Sequence, residues 1–260
     1  MAESPESLAP PLSRPDIAFQ VGPRQVAAAE VVPLLAGYQL LTPLLRELAI
    51  DAALDSFPCP EAESLTCLQT FYQQQGIKTT AEQHQWLAQR HLTSDQLLGL
   101  ATRAWRVARL KEQTFAPRLE SHFLKRKAQL DRAVYSLIRT PSGEIAQELY
   151  FRIQEGEQSF AELARAYSQG PEARTGGLVG PVPMGNLNAT LAKILTTSQP
   201  RQVWPPVKLD TWFVIVRLEE RLPVTLDEGL RQQLLDELFE QWLQEQVHAL
   251  STALTVPSPP

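Results

Sequence analysis

The glycines of this chain are concentrated between Asp131 and Leu222, where seven of the twelve lie. Short runs rich in β-branched and aromatic residues stand at both ends of that stretch. Such runs favour strands, and glycine permits tight turns between them. Outside the stretch, apolar residues recur at intervals of three and four, which is typical of helices. The pattern predicts a compact α+β unit at residues 131–222 between helical segments.

The helical segments on either side each present an apolar face. Three pairs at capping-box spacing predict helix starts: Thr80 with Gln83, Thr93 with Gln96, and Thr225 with Glu228. The closing segment, 223–251, carries an apolar stripe formed by Leu226, Leu230, Leu234, Leu238, Trp242 and Val247. A helix this apolar on one side needs a partner, and the helices of residues 26–130 are the available surface. We therefore expect an all-α body made from both chain ends, with the α+β unit inserted into it.

Both ends of the chain are rich in proline, which lacks an amide hydrogen and breaks helices. We expect a disordered tail at residues 1–25 and a loose tail at 252–260. The N-terminus is acidic and has no apolar core, so we predict no secretory signal and a cytoplasmic location. Polar and charged residues interrupt the apolar stretch from Val31 to Leu54, which favours a pair of buried helices over a membrane span.

Charge and metal-ligating residues exclude several classes of function. The net charge of −5 disfavours an extended nucleic-acid groove. A basic run from Arg103 to Arg132 could still be an RNA or membrane stripe, but the acidic closing helix favours internal charge matching. Cys59 and Cys67 have neither redox-motif nor zinc-site spacing, and we interpret them as reduced, structural cysteines. The four histidines lack a supporting carboxylate set, so no metal or other cofactor is predicted.

One long, ordered pattern carries a resemblance to a known family. The segments are RAVYSLIRT, EIAQELYFRIQEG, SFAELARAYSQ, GGLVGPVPMGNL and PPVKLDTWFVIVRLEER, in that order. They resemble the parvulin family of peptidyl-prolyl isomerases, also called the PpiC or rotamase family. The helical flanks look like the arrangement in SurA- and PrsA-type parvulin chaperones. The resemblance implies a four-stranded antiparallel sheet with helices at residues 131–222, and a client polypeptide or protein partner.

Prolyl isomerisation needs no nucleophile and no metal. The barrier of ~18 to 20 kcal/mol arises from amide resonance, and a site lowers it by binding the twisted amide more tightly than the planar one. In parvulins, two histidines and an Asp or Cys form a polar network behind an apolar proline pocket. The resemblance places the histidine positions on Tyr135 and Val214, and the Asp or Cys position near Gly170. This chain therefore has neither the two histidines nor the Asp or Cys of that network.

The resemblance also assigns candidate site residues. The Met and Phe positions of the pocket fall on Leu187 and Leu191, and Phe213 lies beside Val214. We predict Tyr135 as the catalytic candidate, through its hydroxyl, and Leu187, Leu191, Phe213 and Val214 as substrate-binding residues. For each of them, ordinary core packing is the alternative.

The resulting functional prediction is an isomerase-like protein that binds client polypeptides, with catalytic activity doubtful because the family histidines are absent. The alternatives are a non-catalytic chaperone or assembly factor, and a permanent subunit of a larger complex.

Overall fold

A computed structural model describes residues 17–254, and the chain divides into two compact units. The helical unit comprises the chain up to Pro117 together with the chain from Leu235 onward, and the sheet unit comprises Arg118–Leu234. Helices predominate, and the sheet unit holds a four-stranded antiparallel sheet. The predicted α+β class is confirmed.

The helical unit opens with a short hairpin. Strands β1 (Ile17–Val21) and β2 (Arg24–Ala27) pair antiparallel around a turn in which Gly22 takes a φ of 57°. The expectation of a disordered tail through residue 25 is therefore wrong for residues 17–25, and the body is not purely helical. Pro23 lies in the turn, where no hydrogen bond between the two strands requires the amide hydrogen that proline lacks. The predicted tail segments 1–16 and 255–260 lie outside the described residues.

Among residues 17–254, six helices belong wholly or partly to the helical unit. They are α1 (Ala28–Gly37), α2 (Leu41–Leu54), α3 (Glu61–Gln75), α4 (Thr80–Arg90), α5 (Ser94–Leu130) and α9 (Glu228–Ala253). The α5 helix continues through Pro117, although proline usually ends or kinks a helix. Phe115 and Leu119 are buried on either side of that proline. Their burial offsets the single backbone hydrogen bond that proline removes.

The core of the helical unit lies between α2, α5 and α9. Leu45, Ala49 and Leu54 of α2 are buried, as are Leu235, Phe239 and Leu243 of α9. The Phe115 ring of α5 meets the Phe239 ring edge-on at 6.3 Å. The α1 helix, in contrast, buries none of its residues, so the expected pair of buried helices is wrong for α1.

By length and composition, no single helix of residues 17–254 could cross a membrane. Helices α1 and α2 reach the required length and hydropathy only when counted together, and they are bent by 107° relative to each other.

The charge matching expected of the basic run is present only in part. Lys111 of α5 pairs with Asp236 of α9 at 2.8 Å. Arg103, however, pairs with Glu47 and Asp51 of α2. These ion pairs are partly exposed and each contributes about 0 to 1 kcal/mol, so they orient helices more than they stabilise them.

The sheet unit is built on four strands in the order β4-β3-β6-β5. Its elements are β3 (Arg132–Thr140), α6 (Gly143–Gln154), α7 (Phe160–Tyr167), β4 (Leu178–Pro183), α8 (Ala189–Thr197), β5 (Val207–Leu209) and β6 (Trp212–Leu222). A 3-10 turn, Pro171–Thr175, precedes β4. Gly177 has a φ of 89°, and a Cβ there would lie 3.0 Å from the Leu137 carbonyl. Glycine is therefore required where the chain approaches β3.

Alternation along the strands gives the sheet two apolar faces. On one face, Ile138 and Ile215 pack with Phe160 and Leu163 of α7. On the other, Leu137 and Val216 pack with Leu195 of α8. The second face, covered by α8, holds the predicted site.

Candidate functional site

The face under α8 forms one closely packed apolar cluster. Its buried members are Ala133, Tyr135, Leu137, Met184, Leu191, Leu195, Val214, Val216 and Leu218. Partly buried apolar residues from β4, β5 and the start of β6 pack against it, among them Val179, Leu209 and Trp212. The centre of the cluster is therefore buried, and the apolar residues at its edge are partly exposed to solvent.

The structure brings four of the five predicted site residues together. Tyr135, Leu191 and Val214 are buried within the cluster, and Leu187 packs against it. Phe213 is not among them, because neighbouring residues of a strand point to opposite faces. The ring of Phe213 instead lies against Gly143 at the start of α6, with the Lys208 ammonium 5.9 Å from its centroid.

Tyr135 is the one buried member of the cluster that carries a hydroxyl group. Tyr135 is 5% exposed, and no hydrogen bond between described residues involves its hydroxyl. Burial raises the pKa of Tyr135 above its ordinary value of 10.0, while the Arg139 charge lowers it and the Glu172 charge raises it. The hydroxyl is therefore protonated at neutral pH and can donate one hydrogen bond.

A buried ion pair stands beside this tyrosine. Arg139 donates from Nε and Nη2 to the two carboxylate oxygens of Glu172, both at 2.8 Å. The Glu172 side chain is 2% exposed and that of Arg139 is 31% exposed. Ser168 completes the network: its hydroxyl donates to Glu172 at 2.7 Å and accepts from the Arg139 amide at 3.0 Å. The planar, two-point geometry is the strong form of an Arg–carboxylate contact.

The network keeps Glu172 ionised. Burial would raise the pKa of Glu172, but the hydrogen bonds from Arg139 and Ser168 outweigh burial and hold the pKa below its ordinary value. Across the strands, Arg139 is directly opposite Val214, so both side chains are on the cluster face of the sheet. A charged pair thus lies next to the position that the family resemblance assigns to a histidine.

Gly170, where the resemblance places an Asp or Cys, is fixed by this network. A Cβ on Gly170 would collide with both carboxylate oxygens of Glu172 and with Nε of Arg139. The φ of Gly170 is −117°, so the backbone itself would accept other residues. A side chain at this position is therefore excluded because it would collide with the ion pair, and not because of the backbone conformation.

A cavity of about 210 Å³ lies beside the cluster within the sheet unit. Its lining residues are Ala128, Asp131, Arg132, Met184, Thr196, Arg221 and Pro223. Met184 belongs both to the lining of this cavity and to the cluster. None of the five predicted site residues lines the cavity. Among residues 17–254, no group of three or more His, Cys, Asp or Glu side chains comes together as a metal site.

A four-stranded antiparallel sheet with an apolar face under a short helix, at residues 131–222, is the architecture that the resemblance implies. Residues 137–220 match the family model described as Rotamase, PPIC-type PPIASE domain. This part of the chain is a parvulin-type domain.

Solved structures extend the comparison to the helical segments. The peptidylprolyl isomerase PrsA of Bacillus cereus is similar over 94% of this chain and 94% of its own, with 16% identity and a TM-score of 0.54. The parvulin domain of PpiD from E. coli matches 38% of this chain and 97% of its own, with 27% identity and a TM-score of 0.33. No curated protein matches the chain significantly. The expected parvulin-type domain in a PrsA-like fold is confirmed.

Proposed function

We propose that this protein is a parvulin-type chaperone that binds proline-containing or extended apolar client polypeptides and has little or no isomerase activity. One observation carries the proposal. The sheet face that seats proline in the family is apolar here, with Val214 and Gly170 at two of its three polar positions. Apolar surface favours binding, whereas rate enhancement needs polar contacts that strengthen as the amide twists.

The polar groups near the cluster give weak support to catalysis. Tyr135 is itself a member of the apolar cluster, and Nε and Nη2 of Arg139 are held by Glu172. A donor already engaged by a carboxylate is a poor donor to a twisting peptide carbonyl, since the second bond would weaken the first. We therefore expect binding to be retained and turnover to be small.

A surface on the helical unit is our candidate for client contact. Seven large apolar side chains there are each 40% to 65% exposed, and we call them the N-terminal apolar surface: Ile17, Phe19, Val21, Tyr38, Leu40, Leu44 and Leu48. Leu40, Leu44 and Leu48 follow one another at intervals of four and so form a single stripe on and just before α2. Exposed apolar surface of this kind marks an interaction site.

Suppression of aggregation of a model client by the purified full chain tests the chaperone proposal. We expect suppression at near-stoichiometric ratios, weakened at least about twofold by the double change Leu44→Lys and Leu48→Lys. Leu65→Lys is the matched control, because Leu65 is exposed on α3, outside the surface. The proposal fails if the chain suppresses no aggregation, or if the control and the double variant lose activity equally.

An active isomerase is the second candidate, favoured by the protonated hydroxyl of Tyr135, on which the nearby Arg139 charge acts. A protease-coupled assay on a proline peptide separates the two functions. Acceleration at catalytic protein concentration that Tyr135→Phe abolishes would establish the isomerase. Size measured in native extract tests whether the chain is a permanent subunit of a complex, and cell fractionation tests the cytoplasmic location expected from the sequence.

A further inference from the structure

The cavity of about 210 Å³ beside the apolar cluster is positively charged, and all of its lining residues belong to the sheet unit. Arg132 and Arg221 line it, together with one carboxylate, that of Asp131. Lys127 neutralises this carboxylate, because its ammonium donates to Asp131 Oδ1 at 2.8 Å. Neither arginine forms an ion pair with another residue that the structure describes. Two positive charges therefore remain, and they favour an anionic ligand.

Arg221 is held at this cavity by the end of helix α8. Its Nη2 atom donates to the carbonyl oxygens of Leu195 at 2.9 Å, and of Thr196 and Ser198 at 2.6 Å. The last carbonyls of a helix have no partner within the helix, so a guanidinium is a favourable cap there. Nε and Nη1 of Arg221 have no acceptor among residues 17–254, and both remain available to a ligand.

Arg132 stands next to Arg221 on the paired strand. It adjoins Ala133 of β3, which lies directly opposite Arg221 of β6. The Arg132 side chain is exposed and makes no hydrogen bond or ion pair within the described part of the chain. A guanidinium presents its donors in a planar fork that matches the two oxygens of a carboxylate. Two such groups on one cavity favour a carboxylate ligand.

The rest of the lining adds an acceptor and an apolar wall. Met184, which is 9% exposed, lines the cavity with Ala128 and Pro223. The bonds that Asp131 accepts, including that from the Val224 amide at 2.8 Å, go to Oδ1. Its Oδ2 atom is therefore free to accept a hydrogen bond from a ligand N–H. The cavity thus offers donors for a carboxylate, an acceptor for an N–H group and contact for a small apolar group.

We propose that this cavity binds the C-terminal residue of a polypeptide. The α-carboxylate is held by Arg132 and Arg221, the backbone N–H donates to Asp131 Oδ2, and a small apolar side chain packs against Met184. The C-terminal residue of a chain carries these three groups on one carbon atom, and capture of a terminal carboxylate is a known mode of peptide recognition. Both arginines are exposed, so the rest of the peptide can extend into solvent.

A free amino acid fits the cavity less well than a chain terminus. Its ammonium would bring a further positive charge beside two arginines, whereas the charge of Asp131 is already matched by Lys127. The neutral amide of a peptide carries no such cost. Met184 alone is shared with the apolar cluster, so the site is separate from the client surfaces proposed above and does not depend on them.

The methyl group of Met184 makes the test direct. Met1 is the only other methionine of the chain, so labelling the methionine methyl groups of the full chain with carbon-13 gives a simple spectrum, and Met184→Leu assigns it. The probe is acetyl-glycyl-leucine with a free carboxylate. We expect it to shift the Met184 signal with a Kd on the order of 0.1 to 1 mM. The same peptide as a carboxamide should bind at least about tenfold more weakly, and free leucine at least about threefold more weakly.

Arg132→Gln tests the guanidinium contact without disturbing the fold, because Arg132 has no hydrogen bond for the fold to lose. We expect the Kd of the acid peptide to rise at least about fivefold. Arg174→Gln is the matched control, since Arg174 is an exposed arginine of the sheet unit that does not line the cavity, and its Kd should stay within about twofold.

Three results would each overturn the proposal. One is a Met184 signal that does not move at about 10 mM acid peptide. The others are equal affinity for the carboxamide or for free leucine, and an unchanged Kd in Arg132→Gln.

Discussion

Arg139 and Glu172 form a two-point ion pair, with both N···O distances 2.8 Å, at the margin of the apolar sheet face. The carboxylate is almost fully buried, whereas the guanidinium is partly open to solvent. The pair joins β3 to the 3-10 turn before β4, and Gly170 makes room for it. It is the main polar feature beside Tyr135, and four predictions test its role and the character of the site.

Glu172→Gln should destabilise the fold, because the change removes a charge-assisted bond and leaves Arg139 partly buried without its counterion. We expect a loss of about 1 to 3 kcal/mol in the free energy of unfolding, measured by urea denaturation. The matched control is Glu157→Gln, whose carboxylate is 3.9 Å from Arg152 and largely exposed. It should cost less than about 1 kcal/mol. Equal losses in the two variants would contradict a special role for the buried pair.

Gly170→Ala should also be destabilising, because the added methyl group displaces the Glu172 carboxylate from Arg139. A loss of about 1 to 3 kcal/mol is expected. Gly99→Ala serves as a control that should change stability in the opposite direction, since Gly99 is in the α5 helix with open space where the added Cβ would lie. That change should stabilise by up to about 1 kcal/mol. A neutral Gly170→Ala would show that the network can move aside at no cost.

The ion pair should make stability depend on pH in the acid range. The folded-state pKa of Glu172 lies below its ordinary value of 4.5. The unfolded state therefore binds the proton more readily, and the stabilisation present above pH 4.5 is lost as pH falls through the folded pKa. We expect the stability difference between the unsubstituted chain and Glu172→Gln to shrink as pH is lowered from 6 through 4 toward 3. A difference independent of pH would contradict this assignment.

Tyr135→Phe should leave stability within about 0.5 kcal/mol of the unsubstituted chain, because the hydroxyl has no hydrogen-bond partner among the described residues. Tyr135→Ala is the comparison, and it should cost about 3 kcal/mol or more, since it empties part of the apolar cluster. Urea denaturation measures both. A large loss in Tyr135→Phe would mean that the hydroxyl is engaged in solution and would strengthen the case for catalysis.

Alternation along the strands explains which site residues the sequence could predict. Tyr135 and Leu137 share a face of β3 with Arg139, and Val214 lies across from Arg139, so the residues that share this sheet face were predictable from spacing alone. The same rule separates Phe213 from Val214, although both were assigned to one pocket. The Arg139–Glu172 pair was not predictable, because charged residues 33 positions apart are usually solvated and no local pattern relates them.

The residue at which a helix begins was predictable to within a few positions. Whether a helix is buried was less predictable. The Thr93–Gln96 capping box forms as predicted, whereas the next box upstream uses Thr79 and Glu82 in place of Thr80 and Gln83. At the closing helix, Asp227 accepts from the Leu230 amide, so the cap is not Thr225. Several side chains compete for the same free amides, and tertiary packing decides among them.

Exchange spectroscopy of a labelled proline peptide in the presence of the full chain tests the central proposal most directly, because one NMR experiment reports both binding and turnover. We expect the resonances of residues flanking proline to shift or broaden as protein is added, with no cis–trans exchange cross-peaks above those of the free peptide. Strong exchange cross-peaks at substoichiometric protein would show an active isomerase, and unperturbed resonances at saturating protein would contradict peptide binding altogether.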